Sequence, residues 1–156
     1  MHIRPETEAD RAAIRAVNEA AFGTAVEADV VEILRRKPIQ SVSLVAAIDD
    51  VIMGHILFSP VSLTDCPQLT LMGLGPMSVA PEHQRKGVGS ALVREGLARC
   101  KRLACQAIVV LGHPEYYPCF GFVRASRYAI RCEYDVPEDV FMIVELEEGR
   151  WTGCPD

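Results

Sequence analysis

The sequence of 156 residues is 49% hydrophobic and 24% charged, which is typical of a soluble globular protein, and we expect one domain over residues 1–156. Its net charge of −5 and isoelectric point near 5.4 argue against nucleic acid or an anionic membrane as the main partner. No apolar run reaches the roughly 18 residues that cross a bilayer, and no secretory leader is recognisable, so we expect a cytoplasmic protein.

Two amphipathic helices are predicted to follow a short edge strand at residues 1–4. The first helix covers residues 7–22 and ends at Gly23, which is a common helix terminator. The second helix covers residues 27–37. The apolar residues expected on its buried face are Val30, Ile33 and Leu34.

Three strand-like segments come next, and the third contains an interruption. Residues 43–48 and 51–63 are rich in β-branched and large apolar side chains and predict a hairpin. Residues 69–79 contain the run Gly-Leu-Gly-Pro at 73–76, and both proline and glycine weaken a strand or mark a bulge. We interpret the run as a bulge that splays the strand and leaves backbone groups free for a ligand, while an ordinary loop is the alternative. The residues that follow the bulge are Met77, Ser78 and Val79.

The most informative segment is residues 79–92, where a strand-like stretch passes through a basic, glycine-containing turn into a helix. The N-terminus of a helix presents unpaired N–H groups and a partial positive charge, so it attracts anions. Gly87 and Gly89 allow close approach of the backbone, and Arg85 and Lys86 add full charges. The segment therefore predicts a phosphate-binding turn, most readily for a pyrophosphate. The alternative is a tight strand-to-helix loop with solvated charges.

Two common phosphate motifs do not fit this turn. A dinucleotide fingerprint needs a third glycine where this chain has Leu92, and a P-loop needs Lys-Ser/Thr after its last glycine. The run Gln-Arg-Lys-Gly-Val-Gly at residues 84–89 instead resembles the Q/R-x-x-G-x-G/A turn of the GNAT superfamily of acyl-CoA-dependent N-acyltransferases.

The resemblance covers roughly residues 3–146 and implies both a fold and a cofactor. The implied fold is α/β (α+β), with a mixed, mostly antiparallel central sheet of six to seven strands, splayed at a bulge in strand 4 and flanked by about four helices. The turn would bind the pyrophosphate of coenzyme A, and the fourth strand would pair with its pantetheine arm. The implied cofactor-binding residues are Met77, Ser78, Val79, Gln84, Arg85, Lys86, Gly87, Val88, Gly89, Ser90 and Tyr117. His113 stands where many members carry an asparagine that contacts the cofactor, and it would contact the pantetheine arm or line the acceptor pocket.

The second half of the chain completes the predicted order of elements. A helix is predicted at residues 87–102, a buried strand at 106–111, and late strands near 128–132 and 140–146. A further short helix is expected after the strand at 106–111. The six cysteines and four histidines show no metal-binding or disulfide spacing, so we expect no metal site.

The run Gly-His-Pro-Glu-Tyr-Tyr-Pro-Cys-Phe-Gly-Phe at residues 112–122 is similar to the YhbS-like subgroup of predicted bacterial acetyltransferases. In the superfamily the catalytic tyrosine stands four residues before a Gly-Phe pair, and Tyr117 has that position here. A tyrosine suits protonation of the departing thiolate because its ordinary pKa is close to that of a thiol. Pro118 disfavours helical geometry at Tyr117, so Tyr116 is the alternative acid. The non-catalytic alternative is that both tyrosines only pack on Phe120 and Phe122 at the edge of the site.

The general base that deprotonates the acceptor amine is not fixed by the sequence. No carboxylate lies on residues 69–79, where many superfamily members place one, so Glu27 near the start of the second helix is the first candidate. His113, Glu115 and a water bonded to backbone carbonyls are open alternatives. A covalent route through Cys119 is disfavoured, because nothing beside it supplies a base or a positive charge.

These observations predict an N-acetyltransferase that uses acetyl-CoA and needs no metal. The acceptor would be a primary amine of a small molecule or peptide, attacking directly in a ternary complex, with its identity unknown. The alternative is a non-catalytic acyl-CoA-binding sensor or interaction module. A homodimer is possible, because dimers are common in the superfamily.

Overall fold

The computed structural model of the chain describes residues 1–37, 40–63, 66–128, 130 and 136–146. The strands in this part of the chain are β1 His2–Pro5, β2 Val42–Ile48, β3 Val51–Leu63, β4 Cys66–Val79, β5 Ala107–Leu111, β6 Val123–Arg124 and β7 Phe141–Glu145. The α-helices are α1 Arg11–Phe22, α2 Val26–Arg36 and α3 Val88–Arg102.

The predicted mixed sheet is confirmed, with seven strands in the order β1-β2-β3-β4-β5-β7-β6 among the described residues. The pairs β1/β2, β2/β3, β5/β7 and β6/β7 are antiparallel, whereas β4/β5 is parallel. Of the four expected helices, the one after β5 is only a 3-10 helix at Tyr117–Phe120. Its proline lies in the first turn, where proline is tolerated, and the helix ends after one turn because Gly121, with φ of 94°, adopts the left-handed conformation.

The late strands agree with the prediction in part. β7 confirms the segment at 140–146, and the two-residue strand β6, which pairs with it, was not predicted. The strand expected near 128–132 includes positions 129 and 131–132, which lie outside the described residues. Tyr128 itself ends a 3-10 helix at Ala125–Tyr128.

The strand β4 runs without a break through the Gly-Leu-Gly-Pro sequence, so the alternative of a loop at that point is wrong. Its parallel pairing with β5 covers Leu71–Leu74, opposite Ala107–Val110. The strand then continues to Val79, five residues beyond the end of that pairing.

The chain divides into two compact units. The first consists of residues 1–59 and 75–96, and the second of residues 60–74 and 97–156. In the first unit α1 and α2 cover β2 and β3, and the shared core consists of Ile14, Val31, Val45 and Leu57. In the second unit the core consists of Leu71, Ala107, Val109, Ala125, Ile130 and Ile143.

The predicted buried face of α2 is wrong for Val30 and Ile33 and right for Leu34, which packs against the core of the first unit. Val30 is 40% exposed and Ile33 is 54% exposed, whereas Ala28 and Val31 are buried. The helix carries apolar residues on two sides, so periodicity alone does not decide which side faces inward. The inward side is the one that carries Val31, which packs with Ile14, Val45 and Leu57. On the same side Arg35 contacts Glu6 at 3.0 Å.

A buried polar network joins α1 to β2 and β3 in the first unit. The Nδ2 group of Asn18 donates to the Ile14 carbonyl oxygen at 3.1 Å and lies 3.3 Å from Nδ1 of His55. Nδ1 therefore accepts, and Nε2 carries the proton and donates to Ser43 Oγ at 2.9 Å. Burial, together with the positive charge of Arg35, lowers the pKa of His55 to about 3. The imidazole is therefore neutral in the folded protein.

Candidate active site

The turn between β4 and α3 has the shape that anion binding requires. After the 3-10 helix Pro81–His83, Gln84 is extended, and Arg85 and Gly87 adopt positive φ values of 63° and 85°. The first hydrogen bond of α3 joins the Ala91 amide to the Gly87 carbonyl oxygen at 3.0 Å. The amides of Val88 and Gly89 therefore lie in the first turn of α3, where N–H groups have no acceptor within the helix.

Hydrogen bonds to β4 fix the turn. The Gln84 side chain donates through Nε2 to the Val79 carbonyl oxygen at 3.0 Å, which closes a loop across the turn. The Ala80 amide donates to the Met53 carbonyl oxygen at 2.8 Å and holds the end of β4 on β3. Gln84, predicted to contact the cofactor, thus uses its amide group to brace the turn.

The charges of the turn face solvent. Arg85 and Lys86 are exposed, as are Gln84 and Gly87. Within the described residues neither Arg85 nor Lys86 forms an ion pair, so both charges are available to an anionic ligand. Ser90, also predicted as a cofactor residue, is half-buried in the same first turn of α3.

Two glycines, Gly54 in β3 and Gly96 in α3, bring α3 close to β3. A Cβ atom on Gly54 would lie 3.0 Å from side-chain atoms of both Leu92 and Val88 and 3.3 Å from the Ser78 carbonyl oxygen. A Cβ atom on Gly96 would overlap the ring of Phe58. A glycine inside a strand pattern marks close approach of another backbone, and position 54 carried that signal. These contacts set the position of the first turn of α3.

The end of β4 contains a buried hydroxyl group without a partner. Ser78 is 2% exposed, and within the described residues its Oγ has no hydrogen-bond partner. Burying a polar group unpaired is costly, so such a group in a folded protein calls for an explanation. Of its neighbours, Val79 is buried and Met77 is half-buried.

The second unit surrounds Tyr117 with aromatic rings. Tyr117 is 7% exposed, and its ring centroid lies 5.1 Å from that of Tyr116, 5.5 Å from that of Phe122 and 6.4 Å from that of Phe120. A Cβ atom on Gly112 would overlap the ring of Tyr117, so the glycine makes room for it. The structure therefore packs Tyr117 inward, although Pro118 follows it.

The environment of Tyr117 changes its acidity. Burial, with a smaller contribution from Tyr116, raises the pKa of Tyr117 to about 12. The pKa of Tyr117 is therefore no longer close to that of a thiol, which is ordinarily about 8.5. The phenol is protonated throughout the neutral range, which is the form that a proton donor needs.

The other candidate residues occupy more open positions. His113 is exposed, and its carbonyl oxygen accepts a hydrogen bond from the Tyr117 amide at 3.4 Å. Glu115 and Cys119 are exposed. Glu27 is half-buried near the N-terminus of α2, where its Oε2 accepts a hydrogen bond from Thr24 Oγ1 at 3.0 Å.

Within the part of the chain that the structure describes, no group of three or more His, Cys, Asp or Glu residues is placed to bind a metal ion. None of the helices in those residues is both long and apolar enough to cross a bilayer.

Comparison with known proteins gives consistent matches. The model of the acetyltransferase (GNAT) family matches residues 11–122. The uncharacterized N-acetyltransferase YjhQ of Escherichia coli K12 is 36% identical over 140 residues, covering 85% of this chain and 75% of the relative. The uncharacterized N-acetyltransferase YhbS of the same strain is 31% identical over 154 residues, covering 98% of this chain and 92% of the relative.

Two solved structures share the fold at similar identity. The YhbS protein from Escherichia coli, in complex with CoA, has a TM-score of 0.90 and 31% identity, covering 97% of this chain and 86% of that one. A GNAT family acetyltransferase from Brucella melitensis, in complex with acetyl-CoA, has a TM-score of 0.77 and 36% identity, covering 92% of this chain and 86% of that one. The chain therefore belongs to the GNAT family of acetyltransferases.

Proposed function

We propose that this protein transfers the acetyl group of acetyl-CoA to a primary amine by direct attack in a ternary complex in the cytoplasm. The observation that carries the proposal is the exposed, basic turn whose backbone opens into the first turn of α3. The two relatives solved with CoA and acetyl-CoA support the choice of cofactor. The acceptor class, a small molecule or a peptide, is left open.

The turn fits a diphosphate in charge and in donor type. The amides of Val88 and Gly89, at the positive end of the α3 dipole, would bind the phosphate oxygens. Arg85 and Lys86 would add charge from the exposed side of the turn. Gly87 permits the positive φ that turns the backbone toward such a ligand.

The end of β4 fits an amide-containing arm. The unpartnered Ser78 Oγ is a group that a bound pantetheine would satisfy, which would explain its burial. We propose that Met77, Ser78 and Val79 hold this arm, and that the backbone N–H of Ser78 or Val79 stabilises the carbonyl oxygen as negative charge develops. When bound, acetyl-CoA supplies a thioester, an acyl donor activated toward amines.

We propose Tyr117 as the acid that protonates the departing thiolate. Its phenol carries the proton throughout the neutral range, and the neighbouring rings of Tyr116 and Phe122 hold the Tyr117 ring in place. The exposed His113 is proposed to contact the cofactor. Tyr116 is the natural control because it neighbours Tyr117 and is less buried.

Glu27 is the base that we propose to test first. Thr24 orients its carboxylate through an exposed hydrogen bond, and Glu27 stands in the N-terminal turn of α2. Replacement by glutamine should lower kcat about 10²-fold or more, the usual contribution of a general base. An unchanged kcat in E27Q would reject Glu27 and leave His113, Glu115 or water as the base.

The proposal is tested in two steps. Isothermal titration should show binding of CoA but not of ATP, and thiol release from acetyl-CoA should rise with some members of a panel of primary amines. Absence of heat with CoA would overturn the binding assignment. CoA binding without thiol release for any amine class would overturn the transferase assignment in favour of a binding module.

A further inference from the structure

A groove lies along one side of α1 in the first unit. It has a volume of about 430 Å³, and its twelve lining residues come from three segments: residues 9–20, residues 50–52 at the start of β3, and residues 80–82 after β4. All three segments belong to the first unit. None of the lining residues is among those that we propose for acetyl-CoA or for catalysis. The volume is within the range of small-molecule sites, so the groove has room for an organic ligand.

Most of the groove surface is apolar. Nine of the twelve lining residues are apolar, and five of those nine are alanines. Ala13, Ala16 and Ala20 follow one another at intervals of three and four residues, so they share one side of α1. Val17, between them, is buried, whereas Ala16 and Ala20 are exposed. This side of α1 therefore offers a strip of short side chains along which a hydrocarbon chain would be removed from water.

The charged residues that line the groove are all acidic. They are Asp10, Asp50 and Glu82. The Asp10 carboxylate is neutralised by Arg4 at 2.7 Å, so it is not available to a ligand. Asp50 and Glu82 are exposed, and neither forms an ion pair within the described residues. Asp50 acts on Arg4 only as a more distant charge. Two carboxylates of the groove are thus available to a cationic ligand.

These two carboxylates and the alanines belong to different sides of the groove. The Ala80 amide donates to the Met53 carbonyl oxygen at 2.8 Å, so the segment after β4 starts beside β3. Asp50 and Glu82 therefore belong to the side formed by β3 and this segment, while the alanines belong to the side formed by α1. A complementary ligand needs positive charge for one side and methylene groups for the other. The phosphates of a nucleotide or of coenzyme A would be repelled by the carboxylates.

We infer that this groove binds a linear aliphatic polyamine, whose ammonium groups pair with Asp50 and Glu82 and whose methylene chain packs on the alanines of α1. Opposite charge attracts such a ligand, and removal of its methylene groups from water adds to the affinity. A neutral chain lacks the first contribution, and a bare divalent cation lacks the second. The inference rests on the groove alone and does not depend on acetyl transfer.

Titration calorimetry with spermidine, in the absence of acetyl-CoA, tests the groove. At low salt the dissociation constant should lie below about 1 mM, and it should rise at least about 5-fold at about 0.5 M salt because the charges are screened. Octanediol, a neutral chain of similar length, and Mg²⁺, a cation without a chain, should each bind at least about 10-fold more weakly. Absence of binding up to about 5 mM spermidine, or equal affinity for octanediol or Mg²⁺, would overturn the inference.

Ala16→Leu fills part of the groove without altering its charge, and leucine suits a helix nearly as well as alanine does. It should raise the dissociation constant for spermidine at least about 10-fold. Ala12→Leu is the matched control, since Ala12 is exposed on α1 but does not line the groove, and it should bind like the wild-type protein. Spermidine also has the primary amines of an acetyl acceptor. Undiminished binding in Ala16→Leu would place it at another site and overturn the inference, whereas titration with CoA tests the proposed function separately.

Asp50→Asn and Glu82→Gln test the two carboxylates. Each should weaken spermidine binding about 2–5-fold, which corresponds to an exposed ion pair. Asparagine suits position 50 because it tolerates the positive φ of 66° found there. Asp49→Asn is the control, since Asp49 is exposed in the same turn but does not line the groove. An equal loss in the control would indicate an effect of net charge alone and would overturn the inference. Circular dichroism of each variant checks that the fold is kept.

Discussion

The turn before α3 and the pocket of Tyr117 are built by opposite means. In the turn, the backbone makes the site: the side chains of residues 84–86 are exposed, and Gly87 contributes a conformation and no side chain. Around Tyr117, side chains make the site, because rings surround a buried phenol and Gly112 leaves room for it. An anion can be bound by amides that any residue carries, whereas a proton must be given by one particular side chain. Substitutions should therefore affect binding gradually at the turn and turnover sharply at the pocket.

The largest effect is expected from Tyr117→Phe. Loss of the phenolic proton should lower kcat about 10²–10⁴-fold, the usual contribution of a general acid, with little change in the affinity for acetyl-CoA. Steady-state kinetics with the best amine and titration with CoA separate the two quantities. Tyr116→Phe is the control and should keep most of the wild-type kcat. Equal losses in both variants would place the acid elsewhere.

Gly112→Ala alters the packing around Tyr117 but keeps its hydroxyl group. The new Cβ atom would overlap the Tyr117 ring, which must move, and a misplaced catalytic group costs roughly 10–100-fold in rate. CoA affinity should be unchanged. Wild-type turnover in this variant would show that the position of the ring is not critical for the reaction.

Arg85→Ala combined with Lys86→Ala tests the turn. Removing two charges beside the diphosphate should raise the dissociation constant for CoA about 10-fold at low salt, and the difference should shrink at high salt because of screening. The kcat at saturating acetyl-CoA should stay near wild type. The control is Lys101→Ala with Arg102→Ala, which removes two exposed charges near the C-terminus of α3. A similar loss in the control would indicate an effect of net charge alone.

The smallest effect concerns the alkaline side of the pH–rate profile. Burial raises the pKa of Tyr117 to about 12, so the acid stays protonated as the pH rises through 8 to 10. We expect kcat to be flat over that range in the wild-type protein. A fall in kcat with an apparent pKa between 8 and 10, absent from Tyr117→Phe, would show that the phenol titrates near its ordinary value in the working enzyme.

The turn was predictable from the sequence, whereas the second face of α2 was not. Residues 84–89 encode a local conformation, since the glycines and the basic residues act within a few positions of one another. The inward side of α2 packs on Ile14 and Leu57, which lie 17 and 26 residues from Val31 in the sequence. The six apolar residues among positions 26–34 are spread over two sides of the helix, so the local pattern does not choose between them. Long-range pairings of this kind leave no local pattern.

For Tyr117, too, the sequence predicted the position of the residue but not its environment. Its position before Gly121-Phe122 identified the residue, but the shift in its pKa arises from burial, which sequence spacing does not report. Gly54 and Gly112 carry visible signals, because a glycine in or next to an apolar run has a packing reason. What each glycine makes room for became known only from the structure.

The neutral His55 makes the protein sensitive to mild acid. An unfolded chain takes up a proton on this imidazole near pH 6.5, while the folded chain resists protonation down to about pH 3. His55 therefore leaves the free energy of unfolding unaffected above pH 6.5. As the pH falls from 6.5 toward 3, the free energy of unfolding decreases by up to about 1.4 kcal/mol per pH unit. Thermal melts at pH 7 and pH 5 should show a lower Tm at pH 5, and His55→Gln should reduce that difference. Acidic purification buffers would thus lower the free energy of unfolding of the protein even though His55 stays neutral in the folded state.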